Sequence, residues 1–120
     1  MTLAFLAVDV CCSDAIGGEI QQICFDTVTG ENTEENRCSP YCLISRNFEF
    51  GGSAAVEWHD GHKYDGGAEI ILVTLKRDRL LIRLDCEMQV DVTFHISDRR
   101  FARLEAFLRR IVDIRLWSPV

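Results

Sequence analysis

Val90, Val92, Phe94 and Ile96 alternate with Asp91, Thr93 and His95, the period-2 pattern of a strand with one buried and one wet face. Just upstream, Ile70, Leu72 and Thr74 alternate with Ile71, Val73 and Leu75. Lys76-Arg77-Asp78-Arg79 then turns the chain, and Leu80, Ile82 and Leu84 run back with Arg83 and Asp85 on the other face. Tyr41 to Phe50 predicts another strand, closed by Gly51-Gly52, and Ala54 to His59 a short one. Asp60-Gly61 favours a two-residue hairpin turn with Lys63 and Tyr64 on the return side, before Asp65-Gly66-Gly67 interrupts the chain. Nearer the start, Leu3 to Val10 is a continuous apolar segment, Cys11 to Gly18 reads as a connection, and Glu19 to Val28 as a second strand. Thr29 to Pro40 is polar and acidic and is expected to be a loop.

After Ile96 the period changes. Phe101, Leu104, Leu108 and Ile111 form one helical stripe, widened by Phe107 and Val112. Ser97 or Asp98 caps the helix, and with Ser97 as cap Ile96 and Phe101 occupy the positions of a hydrophobic staple. Arg99, Arg100, Arg103, Arg109 and Arg110 lie mostly on the opposite face and are expected in solvent. The pattern predicts an α+β fold: a mostly antiparallel β-sheet, a meander of about six to seven strands, with one C-terminal amphipathic helix packed on it. The length of 120 residues suits a single domain, 1–120.

Charge changes the picture more than composition does. The chain has 19 acidic and 13 basic side chains, net −6, which argues against a nucleic-acid partner. Residues 1–70 hold twelve carboxylates against Arg37, Arg46 and Lys63, for −9, whereas residues 71–120 carry +3. An acidic half steers a basic partner or simply keeps the surface soluble. The six cysteines do not read as a secreted disulfide framework. The opening MTLAFLAVDV lacks a cationic start, and Ile23-Cys24-Phe25 and Tyr41-Cys42-Leu43 place thiols among apolar neighbours. Reduced thiols and a cytoplasmic location are expected. No apolar stretch approaches the ~20 residues of a membrane span, so no membrane partner is expected.

Candidate chemistry is sparse. Cys38, Cys42, His59 and His62 resemble a zinc-finger spacing only loosely, and the histidines bracket a turn dipeptide where a finger would hold them on a helix. Cys42 or Cys38 with His59 has no local nucleophile signature, and Gly17-Gly18, Gly51-Gly52 and Gly66-Gly67 are isolated turn pairs. No metal, cofactor or catalytic residue is expected. What remains is Glu57 to Asp65, where Trp58, Tyr64, His59, His62 and the carboxylates of Glu57, Asp60 and Asp65 crowd one turn. Exposed aromatics beside charge mark contact hot spots; rings can equally plug the end of a core.

Tyr41-Cys42-Leu43-Ile44-Ser45-Arg46, an aromatic-bearing strand, Tyr64-Asp65-Gly66-Gly67, Leu75-Lys76-Arg77 with Leu80 and Leu84, a strand ending in Ile96 and the helix Phe101 to Ile111 follow one another in a familiar order. Over roughly residues 41–112 the chain resembles the immunity protein 10 family of bacterial polymorphic toxin systems. It departs from that pattern at Ser45, where a glutamine would stand, and at Asp65, which intervenes before the glycine pair. The resemblance implies a protein that binds and neutralises a cognate protein toxin inside the producing cell, with no catalysis of its own. The contacts would then be Glu57, Trp58, His59, Asp60, His62, Tyr64 and Asp65, with Glu34 and Glu35 as a steering surface. The alternative is an acidic secretion chaperone that works as a homodimer on an effector protein.

Overall fold

The structure is a computed structural model that describes residues 2–15, 17, 20–27, 40–48, 52–61 and 65–118, with the backbone alone at positions 15 and 65. Among the described residues eight strands form one sheet: β1 Thr2–Ala7, β2 Asp9–Ala15, β3 Ile20–Asp26, β4 Tyr41–Asn47, β5 Ala55–His59, β6 Asp65–Lys76, β7 Arg79–Leu84 and β8 Gln89–Phe94. The helix α1, Asp98–Ile111, and a 3-10 turn, Ile114–Leu116, follow. The expected α+β architecture is present, mostly antiparallel, with one long C-terminal helix.

The strand order is β1-β8-β7-β6-β5-β4-β3-β2, so the two outer strands are consecutive in the chain. Laid flat, eight strands at ~4.8 Å spacing would separate them by roughly 30 Å. Val8 alone joins them and reaches roughly 7 Å at most. The sheet must therefore curl until its ends meet, and the Val8 N–H donates to the carbonyl of Asp26 at 2.8 Å where they do. A second corner lies in β6. Its Asp65–Glu69 part pairs with β5, its Ile70–Lys76 part pairs with β7, and the register shifts between Ile70 and Leu72. There Asp85 replaces the lost ladder: its N–H donates to Glu69 O at 3.0 Å and its Oδ1 accepts from Glu69 N at 3.2 Å.

Two expectations for the first residues are corrected. Leu3 to Val10 is split at Val8 between β1 and β2, and Cys11 to Ala15 is strand where a connection was expected. Polar Ser13 and Asp14 are tolerated because β2 is an outer strand with one face in solvent. β1 also lies parallel to β8, Thr2 opposite Gln89 through Ala7 opposite Phe94, so the sheet is not a pure meander. Asp65-Gly66-Gly67 likewise opens β6 and does not interrupt the chain. Gly61 has the positive φ of +86° that a turn after Asp60 requires, but the last described pair before it is His59 with Asp65. Lys63 and Tyr64 lie outside the described residues.

The concave side is the core. Ile23, Phe25, Cys42, Ile44, Val56, Ile82, Val90, Val92 and Phe94 line it, each fully buried. The helix covers it with Leu104, Phe107, Leu108 and Ile111, with Val112 just beyond; Phe101 and Ile96 are half-buried at its start. The Ser97 hydroxyl accepts from Arg100 N at 3.2 Å, as the cap position requires. Two helix arginines are not simply in solvent. Nη2 of Arg100 donates to Val10 O at 2.6 Å and Nη2 of Arg103 to Cys12 O at 3.4 Å. The helix thus blunts the open edge of β2, which would otherwise offer unpaired carbonyls to another chain.

Candidate functional site

Because successive residues of a strand face opposite sides, the register fixes what the convex surface displays. One outward row runs Asp9, Asp26, Tyr41, His59, Asp65 across β2 to β6. The next runs Cys11, Cys24, Leu43, Glu57, Gly67, and a third Ser13, Gln22, Ser45, Ala55, Glu69. None of these outward positions holds a lysine or arginine. Arg46, on β4, has the inward parity and is pinned: its Nε donates to Gly52 O at 2.9 Å and its Nη1 to Ile111 O at 3.0 Å.

The two aromatic rings of the first row are stacked. Tyr41 and His59 are Cα partners with ring centroids 6.1 Å apart and planes 10° from parallel. Nδ1 of His59 accepts from Gly61 N at 2.9 Å, which orients the ring and leaves Nε2 as the donor of the neutral imidazole. Beside them, Tyr41, Glu57, Trp58, Gly66 and Gly67 line a shallow depression of about 300 Å³.

The predicted contacts separate by face. Glu57 is exposed, and His59 and Asp60 are half-exposed at the end of β5. Trp58 has the opposite parity and is buried at 2% exposure, in the plug role. Its ring fills the space that Gly66, its Cα partner on β6, leaves open: a Cβ on Gly66 would lie 2.7 Å from Cζ2 of Trp58. Asp65 holds the outward register position opposite His59. His62, Tyr64, Glu34 and Glu35 lie outside the described residues. The strand ends that flank them in the sequence, Asp26 and Tyr41 for the glutamates and His59 and Asp65 for His62 and Tyr64, all stand in the first row. Thr27 Oγ1 donates to Pro40 O at 2.9 Å, drawing together the two ends of the longer segment.

Asp9, Asp26, Tyr41 and the facing pair Cys11 and Cys24 belong to the same surface and were not among the predicted contacts. Only the register across strands, which is non-local, brings them there. The zinc-finger set does not assemble from its described members: Cys42 is fully buried on the concave side and His59 faces outward. The same opposition separates Cys42 from His59 as nucleophile and base, and burial pushes the Cys42 thiol far up. Cys38 and His62 lie outside the described residues. Among the described residues no group of three or more His, Cys, Asp or Glu is placed to hold a metal ion, and no helix is long and apolar enough to cross a membrane. Family models, curated proteins and solved structures were compared with the chain, and none matches.

Proposed function

We propose that this protein is an immunity protein of the polymorphic-toxin kind, which binds and neutralises a cognate toxin by surface complementarity without catalysing a reaction. The observation that carries this reading is the convex face of β2 to β5 and the Asp65–Glu69 part of β6. It bears Asp26, Glu57 and Glu69 around the Tyr41–His59 stack, with Asp9 paired to Arg100 at its edge, and its outward strand positions hold no cation. Such a face suits a basic partner surface, for which charge complementarity raises the encounter rate and suppresses wrong partners. Its support is firm, because every outward side chain stands on a strand paired on both sides except those of β2.

Size sets a condition on the reading. Five strands and three rows span roughly 400–500 Å² at ordinary sheet spacings. A standard tight interface buries roughly 800 Å² per partner. The remainder would come from the residues between Asp26 and Tyr41 and between His59 and Asp65 in the sequence, which include Glu34, Glu35, His62 and Tyr64.

The test begins with the protein encoded beside this one. Its C-terminal region should arrest growth when expressed alone, and co-expression of this chain should restore growth. In a direct binding assay, Asp26→Lys with Glu57→Lys should weaken the complex at least tenfold while leaving the melting temperature nearly unchanged. A neighbour without toxicity removes the immunity reading. Unaltered affinity in a folded double variant removes this face. A stable homodimer by light scattering, combined with binding of an unfolded effector segment, would instead favour the chaperone.

A further inference from the structure

The outward rows also bring two thiols face to face. Cys11 and Cys24 are Cα partners across β2 and β3, Cys11 exposed and Cys24 half-buried. The carbonyls of Val10 and Cys12 turn to the helix arginines, away from β3, so Cys11 turns its own N–H and C=O towards β3. Cys11 and Cys24 are therefore a hydrogen-bonded pair, whose Cα atoms stand ~5.5 Å apart in an antiparallel ladder. That Cα separation lies within the range of about 4.4–6.8 Å seen in disulfides. The Cβ atoms, farther apart in such a pair than in a non-hydrogen-bonded one, must draw together to ~3.8 Å for the bond to form. Among the described residues no neighbouring thiol competes for either partner. Cys12 has the opposite parity and faces Ile23, and Cys42 is fully buried on the concave side.

We propose that Cys11 and Cys24 form a reversible dithiol, oxidised by a low-molecular-weight disulfide to a cross-strand disulfide that ties the outer strand β2 to β3. The Cys11 thiolate attacks one sulfur of the small disulfide, forming a mixed disulfide and releasing one small thiol. Cys24 then gives up its proton and attacks the Cys11 sulfur, expelling the second small thiol. Two protein S–H bonds are lost, one S–S bond forms, and the small disulfide is reduced to two thiols.

The roles follow from exposure. Cys11 is the accessible attacker. Burial, aided by the carboxylate of Asp26, by Cys11 and by Asp9, pushes the Cys24 thiol up to about 11. Little Cys24 thiolate exists at neutral pH, so the second step is slow and the mixed disulfide on Cys11 accumulates. The pairing rests on strand register and holds whether or not the convex face binds a toxin.

Glutathione disulfide is the probe, added to the full chain at neutral pH and followed by intact mass and non-reducing peptide mapping. A glutathione adduct on Cys11 should appear first, and then a product lighter than the starting chain by two hydrogens, linking Cys11 to Cys24. Cys24→Ser should stop at the adduct, Cys11→Ser should give neither species, and Cys12→Ser and Cys86→Ser should behave as the unaltered chain. The oxidised form should melt several degrees higher, because the unfolded chain is constrained. If Cys24→Ser does not fold, the map of the unaltered chain still decides. A link from Cys11 to Cys12, to Cys38 or to a second chain, or an adduct that never resolves, overturns the proposal.

Discussion

At Gly66 a methyl group would sit 2.7 Å from Cζ2 and 3.0 Å from Cη2 of Trp58, and neither can retreat, since the ring is enclosed by core. Gly66→Ala should cost ~1–3 kcal/mol, the usual penalty of overpacking a filled site. Trp58→Phe in that background should recover part of the loss, because residues in contact couple by ~0.5–3 kcal/mol. Urea midpoints of the two singles and the double would measure this, and additive effects would mean that ring and glycine do not share one space. Trp58→Ala should cost ~3–5 kcal/mol and so cannot serve as a test of binding. A local reading of Glu57-Trp58-His59 supplies the alternation and hence the exposure of Glu57 and His59. Which role the ring takes is decided across the strand, by a residue with no side chain. Nothing next to Trp58 in the chain carries that information.

Elements with a clean period were legible: β7, β8 and α1 follow from Leu80, Ile82 and Leu84, from Val90, Val92 and Phe94, and from the Leu104–Leu108–Ile111 stripe. β2 was not, because Cys11-Cys12-Ser13-Asp14 lacks alternation and its pairing depends on a partner, β3, and on a helix about ninety residues away. The parallel register of β1 with β8 has no local signature either. That helix suggests an experiment on the edge it covers. Arg100→Ala with Arg103→Ala should lower stability by about 1–2 kcal/mol, as two partly exposed charge-assisted bonds are lost. It should also promote association of chains through the uncovered edge of β2. Arg99→Ala, at an exposed position on the same helix, should leave both the denaturant midpoint and the sedimentation profile unchanged. Equal behaviour of the double variant and Arg99→Ala would show that the edge needs no cover.

Across the whole molecule, the two corners at Val8 and Ile71 turn a division of charge along the chain into a division in space. The −9 of residues 1–70 includes Asp9, Asp26, Glu57 and Glu69 on one convex face. Lys76, on the second part of β6, and Arg79 and Arg83, on β7, stand beyond the β6 corner. The arginines of α1 stand on the helix, and of these Arg100 reaches Asp9 at the edge of the face at 3.7 Å. Attraction of this kind acts mainly before contact. The association rate with a basic partner should therefore fall about tenfold or more between ~50 and ~500 mM salt, as the screening length shrinks below the width of the face. The dissociation rate should change far less. Stopped-flow mixing would resolve the two, and a salt-independent association rate would deny the face a steering role. The joining of β1 to β8 carries a consequence for biosynthesis as well. Thr2–Ala7 leave the ribosome well before Gln89–Phe94 and find their bonding partners only when those have been made. The barrel-like closure thus waits on β8, and a chain arrested before residue 89 would carry β1 as an unmatched strand.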